Sequence, residues 1–171
     1  MEQIIIGCVI AFLVTFYAIP VIITVANRKK LFDIPDERKI HTTPIASLGG
    51  IGIFVGFMLG ILLALNTTAS VNGLQYYVAA FMVIFFFGIK DDILILSPIK
   101  KVIGQFIVAC ILMFKAGIVI QSMHGFLGIH TLNYTGGIFL TIFTIVVIMN
   151  AFNLIDGVNG LAGTVSVITT S

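Results

Sequence analysis

Two adjacent carboxylates, Asp91 and Asp92, close a long apolar run at Gly88-Ile89-Lys90-Asp91-Asp92. Neighbouring carboxylates repel each other and lose solvation near lipid, which a bound divalent cation or a metal-bound phosphate offsets. An oxygen-only pair suits a hard ion such as Mg²⁺, while a solvated helix-end cluster balanced by Lys90 explains the same residues without chemistry. A second pattern, Asn150, Asn153, Asp156 and Asn159, recurs every third position before Gly160 and Gly163. That spacing lines amides and a carboxylate along one broad helix face, where they can meet a metal, a phosphate or a nucleobase edge, or form a polar seam between helices. Lys100 and Lys101 follow the acidic pair closely and can hold the phosphates of a nucleotide or simply mark a membrane face. The loop from Leu31 to Gly50 mixes basic residues, His41 and turn formers before Gly49-Gly50. A glycine-led helix start of this kind favours an anion, and a positive loop with its own salt bridges is the alternative.

The elements that position these residues are membrane spans. Of 171 residues, 59% are hydrophobic and 9% charged. Those charges are too few to coat a soluble body of this size, so a water-soluble globule is excluded. Ile4 to Ala26 gives about 23 uncharged residues, enough to cross a hydrocarbon core of about 30 Å. Pro20 is expected to kink this helix and free a carbonyl. Further apolar runs cover Leu48 to Leu65, Val71 to Ile89, Val102 to Ile120 and Gly136 to Ala151, and another begins near Leu161. The expected fold is an all-α polytopic bundle of about five complete spans plus a short sixth, one transmembrane domain over 1–171. Gly52, Gly56 and Gly60 recur every fourth residue in the second run, a small-residue face for close helix packing. Cys8 and Cys110 lie inside apolar runs without metal-ligand spacing and read as small buried hydrophobes.

Lys and Arg set the orientation. Arg28, Lys29, Lys30, Arg38 and Lys39 fall in the first connection and Lys90, Lys100 and Lys101 in the third, while the loops 66–75 and 121–135 hold none. The N-terminus is therefore expected outside, with connections near 27–47, 88–101 and 152–160 in the cytoplasm. Lys115 alone departs from this, about one turn from the outer end of its helix, where its stem can snorkel to the headgroups. Asp33, Asp36, Glu37, Asp91, Asp92 and Asp156 all fall at the cytoplasmic side, so the candidate chemistry gathers on one face.

Three stretches together resemble the polyprenyl-phosphate N-acetylhexosamine-1-phosphate transferases, relatives of the phospho-N-acetylmuramoyl-pentapeptide transferase. They are Pro35-Asp36-Glu37-Arg38-Lys39-Ile40-His41 running into Pro44 and Leu48-Gly49-Gly50, then Gly88 to Asp92, then Asn150 to Gly157. The first is similar to the branch that transfers N-acetylglucosamine-1-phosphate. The resemblance covers essentially the whole chain but only the front half of the family pattern, whose second half carries another essential Asp and a His-rich loop. Many bacterial members carry Asp where this chain has Asn159.

The resemblance implies transfer of a sugar-1-phosphate from a UDP-amino sugar to a polyprenyl phosphate, with release of UMP, in the synthesis of cell-envelope polysaccharides such as lipopolysaccharide or teichoic acid. By it, Asp91, Asp92 and Asp156 are catalytic, Asp91, Asp92, Asn153 and Asp156 hold magnesium (manganese as the substitute), and His41, Lys100, Lys101, Asn150 and Asn159 contact substrate. The expected partners are the two substrates and the plasma membrane, with a homodimer as an open option and no nucleic acid. Two rivals remain. A secondary transporter would place ionisable groups near the bilayer midplane rather than at one interface. A catalytically incomplete membrane fragment would keep the front half of the fold without the ligands of the second.

Overall fold

The computed structural model describes residues 2–33, 45–64, 73–94, 96–156, 158 and 160–170. Its elements run α1 (Glu2–Lys29), β1 (Phe32–Asp33), β2 (Ile45–Ala46), α2 (Gly49–Ala64), α3 (Leu74–Leu94), α4 (Pro98–Phe114), a single 3-10 turn at Phe126–Gly128, α5 (Tyr134–Ile155) and α6 (Leu161–Thr170). Helices α1 and α5 are long and apolar enough to cross a membrane. Large side chains face outward along them, with Phe12 65%, Tyr17 70% and Phe139 69% exposed. The buried apolar residues are mostly small: Ala26, Ala80, Val108 and Ala109, with Leu96 and Met113. Small residues inside and large apolar ones outside are what a helical protein shows when lipid is its solvent.

The chain divides into two compact units, and α3 contributes its first part to one and its last part to the other. In the first unit, α1 and α2 pack antiparallel through the glycine face that the sequence spacing indicated. Gly60 lies against Gly7 and Ala11, Gly56 against Ala11 and Thr15, and Gly52 against Ala18, Ile19 and Ile22. The approach is so close that a Cβ at Gly60 would stand 2.6 Å from the Gly7 carbonyl oxygen. The Thr15 hydroxyl donates to the Gly52 carbonyl across the pair at 3.3 Å. Helix α1 continues through Pro20, and the Thr24 hydroxyl donates to the Pro20 carbonyl at 2.8 Å. It ends where Lys30 turns left-handed (φ 57), with the Leu31 N–H donating back to the Ala26 carbonyl at 3.0 Å. That bond closes the helix end in a Schellman arrangement, with Lys in the place where glycine is usual. The antiparallel strands β1 and β2 pair Phe32 with Ala46 and Asp33 with Ile45, a small addition to the helical fold expected.

In the second unit α4 packs on α5, and α6 follows α5. Gly104, Gln105, Val108, Ala109 and Met113 form the buried stripe of α4 at helical spacing. The fourth span differs from its expected bounds of Val102 to Ile120. The helix starts earlier, at Pro98, and stops at Phe114, with Lys115 as its C-cap. Gly117 is left-handed (φ 73), and beyond it Val119 and Ile120 lie against Gly137 at the start of α5. There the Ile120 N–H donates to the buried Thr141 hydroxyl at 2.9 Å, which in turn donates to the Gly137 carbonyl at 2.7 Å. The excursion then folds back on itself, with a bridge from Ser122 to Thr131, before Asn133 caps α5 by accepting from the Gly136 N–H at 2.8 Å.

Candidate active site

In the first unit Asp91 and Asp92 lie in the last turn of α3, where their backbone is still helical. A carboxylate at a helix C-terminus faces the negative end of the macrodipole, so each needs a local donor. Asp91 Oδ1 accepts from the Leu96 N–H at 2.8 Å, and Leu96 is itself buried. Asp92 Oδ2 accepts from the Leu48 N–H at 3.2 Å. Leu48 is left-handed (φ 74), a costly conformation for a leucine, and it directly precedes Gly49 and Gly50 at the start of α2. The glycine-led helix start expected to favour an anion thus meets the Asp92 carboxylate. This joins two of the three sequence stretches, the end of the first loop and the acidic pair. Farther along the same two helices, Phe54 and Phe85 stack with centroids 3.8 Å apart and planes 9° off parallel. One ring stack and one hydrogen bond thus link α3 to α2 and to the residue before it, and backbone donors aim both carboxylates.

In the second unit Lys100 and Lys101 occupy the first turn of α4, the former exposed and the latter half-buried. Pro98 opens the helix, where its missing N–H leaves no bond unmade. The Ser97 carbonyl accepts from the N–H groups of Lys100 and Lys101 at 3.0 and 3.3 Å. Lysines at a helix N-terminus oppose the macrodipole, so their placement there does not serve helix stability. Along α5, Asn150 is half-buried, and its amide nitrogen donates both to Gln105 Oε1 and to the Val146 carbonyl, each at 2.8 Å. Asn153 and Asp156 are exposed, the latter as the C-cap of α5. Neither side chain makes a hydrogen bond or ion pair among the described residues. Left-handed Gly160 (φ 76) then turns the chain into α6. His41 and Asn159 lie outside the described residues.

Gln105 carries no motif and no charge in the sequence, yet it belongs to this polar group. It is 6% exposed and is the α4 partner of Asn150. The available signal was a single amide in an otherwise apolar span, with an amide-bearing span after it in the chain. Among the described residues no three His, Cys, Asp or Glu side chains gather as a metal site. The donors present are carboxylate and carboxamide oxygens, the hard ligands that Mg²⁺ accepts alongside water and substrate phosphates. The residues therefore fit such an ion.

A family model described as Glycosyl transferase family 4 matches residues 74–171. The chain is 32% identical over 167 residues to the decaprenyl-phosphate N-acetylglucosaminephosphotransferase of Mycobacterium leprae, covering 93% of this chain and 42% of that protein. It is 30% identical over 146 residues to the undecaprenyl-phosphate alpha-N-acetylglucosaminyl 1-phosphate transferase of Yersinia pestis, covering 85% and 39%. The enzyme of that same name from Salmonella typhi is 32% identical over 145 residues, covering 83% and 38%. The chain thus spans less than half the length of these curated relatives. No solved structure matches it significantly. With the family model matching more than half its length, and its acidic pair and α5 polar face inside the match, the chain belongs to glycosyl transferase family 4.

Proposed function

We propose that this chain is part of an enzyme that moves N-acetylglucosamine-1-phosphate from its UDP ester to a membrane polyprenyl phosphate, releasing UMP. The observation that carries the reading is the pairing of Asp92 with the Leu48 amide at the head of α2, which ties the acidic pair to the Gly-Gly stretch in a chain whose relatives bear that activity by name. Phosphoryl transfer asks a protein mainly for positioning and charge neutralisation. An oxygen of the polyprenyl phosphate attacks the β-phosphorus, the bond from that phosphorus to the bridging oxygen breaks, and UMP leaves with the bridging oxygen. Asp91 and Asp92, aimed by backbone donors, orient the acceptor phosphate and take its proton if it arrives monoprotonated.

The oxygen donors Asp91 with Asp92, and Asn153 with Asp156, each suit magnesium or manganese, which when bound neutralises the diphosphate charge. Lys100 and Lys101 supply further positive charge for the diphosphate, and His41 and Asn159 are candidate sugar and uridine contacts. The Lys and Arg distribution supports an outside N-terminus and a cytoplasmic site, where the nucleotide sugar is available and the acceptor phosphate sits at headgroup level. The product would enter assembly of an envelope polysaccharide.

The test is to incubate membranes holding the intact protein with sugar-labelled UDP-N-acetylglucosamine, polyprenyl phosphate and Mg²⁺. Labelled lipid that disappears in Asp91→Asn supports the reading. Ion flux altered by Asp91→Asn, with no labelled lipid from wild type, favours the transporter instead. Running the 171-residue chain beside the intact protein tests the reading as an incomplete front half, which requires labelled lipid from the intact protein only.

A further inference from the structure

The carboxamide of Asn150 is oriented by its surroundings. The Val146 carbonyl can only accept, so the Asn150 group facing it at 2.8 Å must be the NH₂. The same nitrogen stands 2.8 Å from Gln105, whose facing atom must therefore be its oxygen. Both amide protons of Asn150 are then committed, one along its own helix and one to α4. What Asn150 retains is Oδ1, an acceptor. A phosphate oxygen, itself an acceptor, has nothing to gain from it, whereas an N–H of a ligand does. Gln105 is buried and lies in the tight stripe beside Gly104, Val108 and Ala109, so its own rotamer is held by packing.

We propose that Gln105 is a positioning residue that locks Asn150 as an acceptor-only group, so that Asn150 takes an N–H of the sugar nucleotide rather than its phosphates. This rests on the transferase reading above. Without the Gln105 oxygen, one Asn150 proton loses its partner and only the Val146 carbonyl still holds the amide, so Oδ1 is less firmly aimed and the freed N–H competes for the ligand. The N–H has two sources in a UDP-N-acetylhexosamine, the uracil imide and the acetamido group.

The experiment measures KM for the nucleotide sugar and kcat in the intact protein for wild type, Gln105→Met, Gln105→Glu, Asn150→Ala and the Gln105→Met/Asn150→Ala pair. Loss of one neutral hydrogen bond predicts a KM about fivefold higher in Gln105→Met, with kcat within about twofold. Gln105→Glu, which keeps an accepting oxygen, returns KM close to wild type. Adding Gln105→Met to Asn150→Ala changes KM no further. Two substrate analogues, one methylated at uracil N3 and one with O-acetyl in place of N-acetyl, separate the sources. The analogue that raises KM for wild type but not for Gln105→Met names the N–H.

Three results overturn the inference: KM unmoved in Gln105→Met, equal losses in the Met and Glu variants, or a wild type indifferent to both analogues. Thermal unfolding in detergent identifies a variant that has failed to fold, and the Glu variant and the analogue arm on wild type then decide. A wild type that transfers nothing overturns the transferase reading and this inference together. Transfer by wild type with unmoved KM overturns the inference alone.

Discussion

Replacing Gly56 by alanine should separate α1 from α2. A Cβ at this position would stand 2.7 Å from the Ala11 carbonyl oxygen and 3.3 Å from the Thr15 nitrogen, and would also overlap the Thr15 hydroxyl. Two of these contacts are backbone, which cannot rotate away, so the helices must part by several tenths of an ångström. The Thr15 hydroxyl then loses the Gly52 carbonyl, already at 3.3 Å. Overpacking of this kind costs about 1–3 kcal/mol. Gly88, in α3, is the internal control, because a Cβ there meets nothing within 4 Å. Alanine at Gly88 should be neutral or stabilising by up to about 1 kcal/mol through helix propensity. The assay is unfolding of the purified protein in mixed micelles by titration with dodecyl sulfate. A Gly56→Ala protein as stable as wild type within about 0.5 kcal/mol, or a Gly88→Ala protein destabilised as much as Gly56→Ala, would refute the close packing of α1 on α2.

Thr141→Val should destabilise by about 1–3 kcal/mol in the same titration, since it leaves the Ile120 N–H without its acceptor at a site 2% exposed. Asp92→Asn keeps an oxygen for the Leu48 N–H and should unfold like wild type while losing transfer, which thermal unfolding and the lipid-labelling assay report side by side. Chelation of divalent ions should abolish transfer and added Mg²⁺ restore it; activity unaffected by chelator would contradict the role given to the carboxylates. With Cys8 and Cys110 removed, Ser122→Cys should react with an impermeant maleimide in intact cells and Ser97→Cys only after permeabilisation.

The apolar run foretold α2 closely, whereas α5 starts at Tyr134 and continues to Ile155, past the expected end at Ala151, because the polar residues Asn150 and Asn153 stay helical. The glycine spacing at 52, 56 and 60 marked the face on which α1 packs, since only small residues permit such an approach. The fourth span was misjudged at its far end. Ile118, Val119 and Ile120 continue the apolar run, but they lie outside the helix, with Val119 and Ile120 against the start of α5, and hydrophobicity cannot distinguish a helical turn from an irregular segment packed on a helix.

Among the candidate residues, Asp91 and Asp92 in the first unit and Asn150, Asn153 and Asp156 in the second are legible as unusual polar groups in apolar stretches of sequence. Their partners are not. The Leu48 amide that holds Asp92 is 44 residues away in sequence, and Gln105 is 45 residues from Asn150. Such pairings are set by how the helices pack, which spacing within one helix does not encode.

In the proposed reaction phosphorus, not only sugar, moves to the lipid. The intact protein given UDP-N-acetylglucosamine labelled with ³²P at the β-phosphate, with polyprenyl phosphate and Mg²⁺, should place the label in the lipid and release unlabelled UMP. Label retained in released UDP, with the sugar alone on the lipid, would contradict the account.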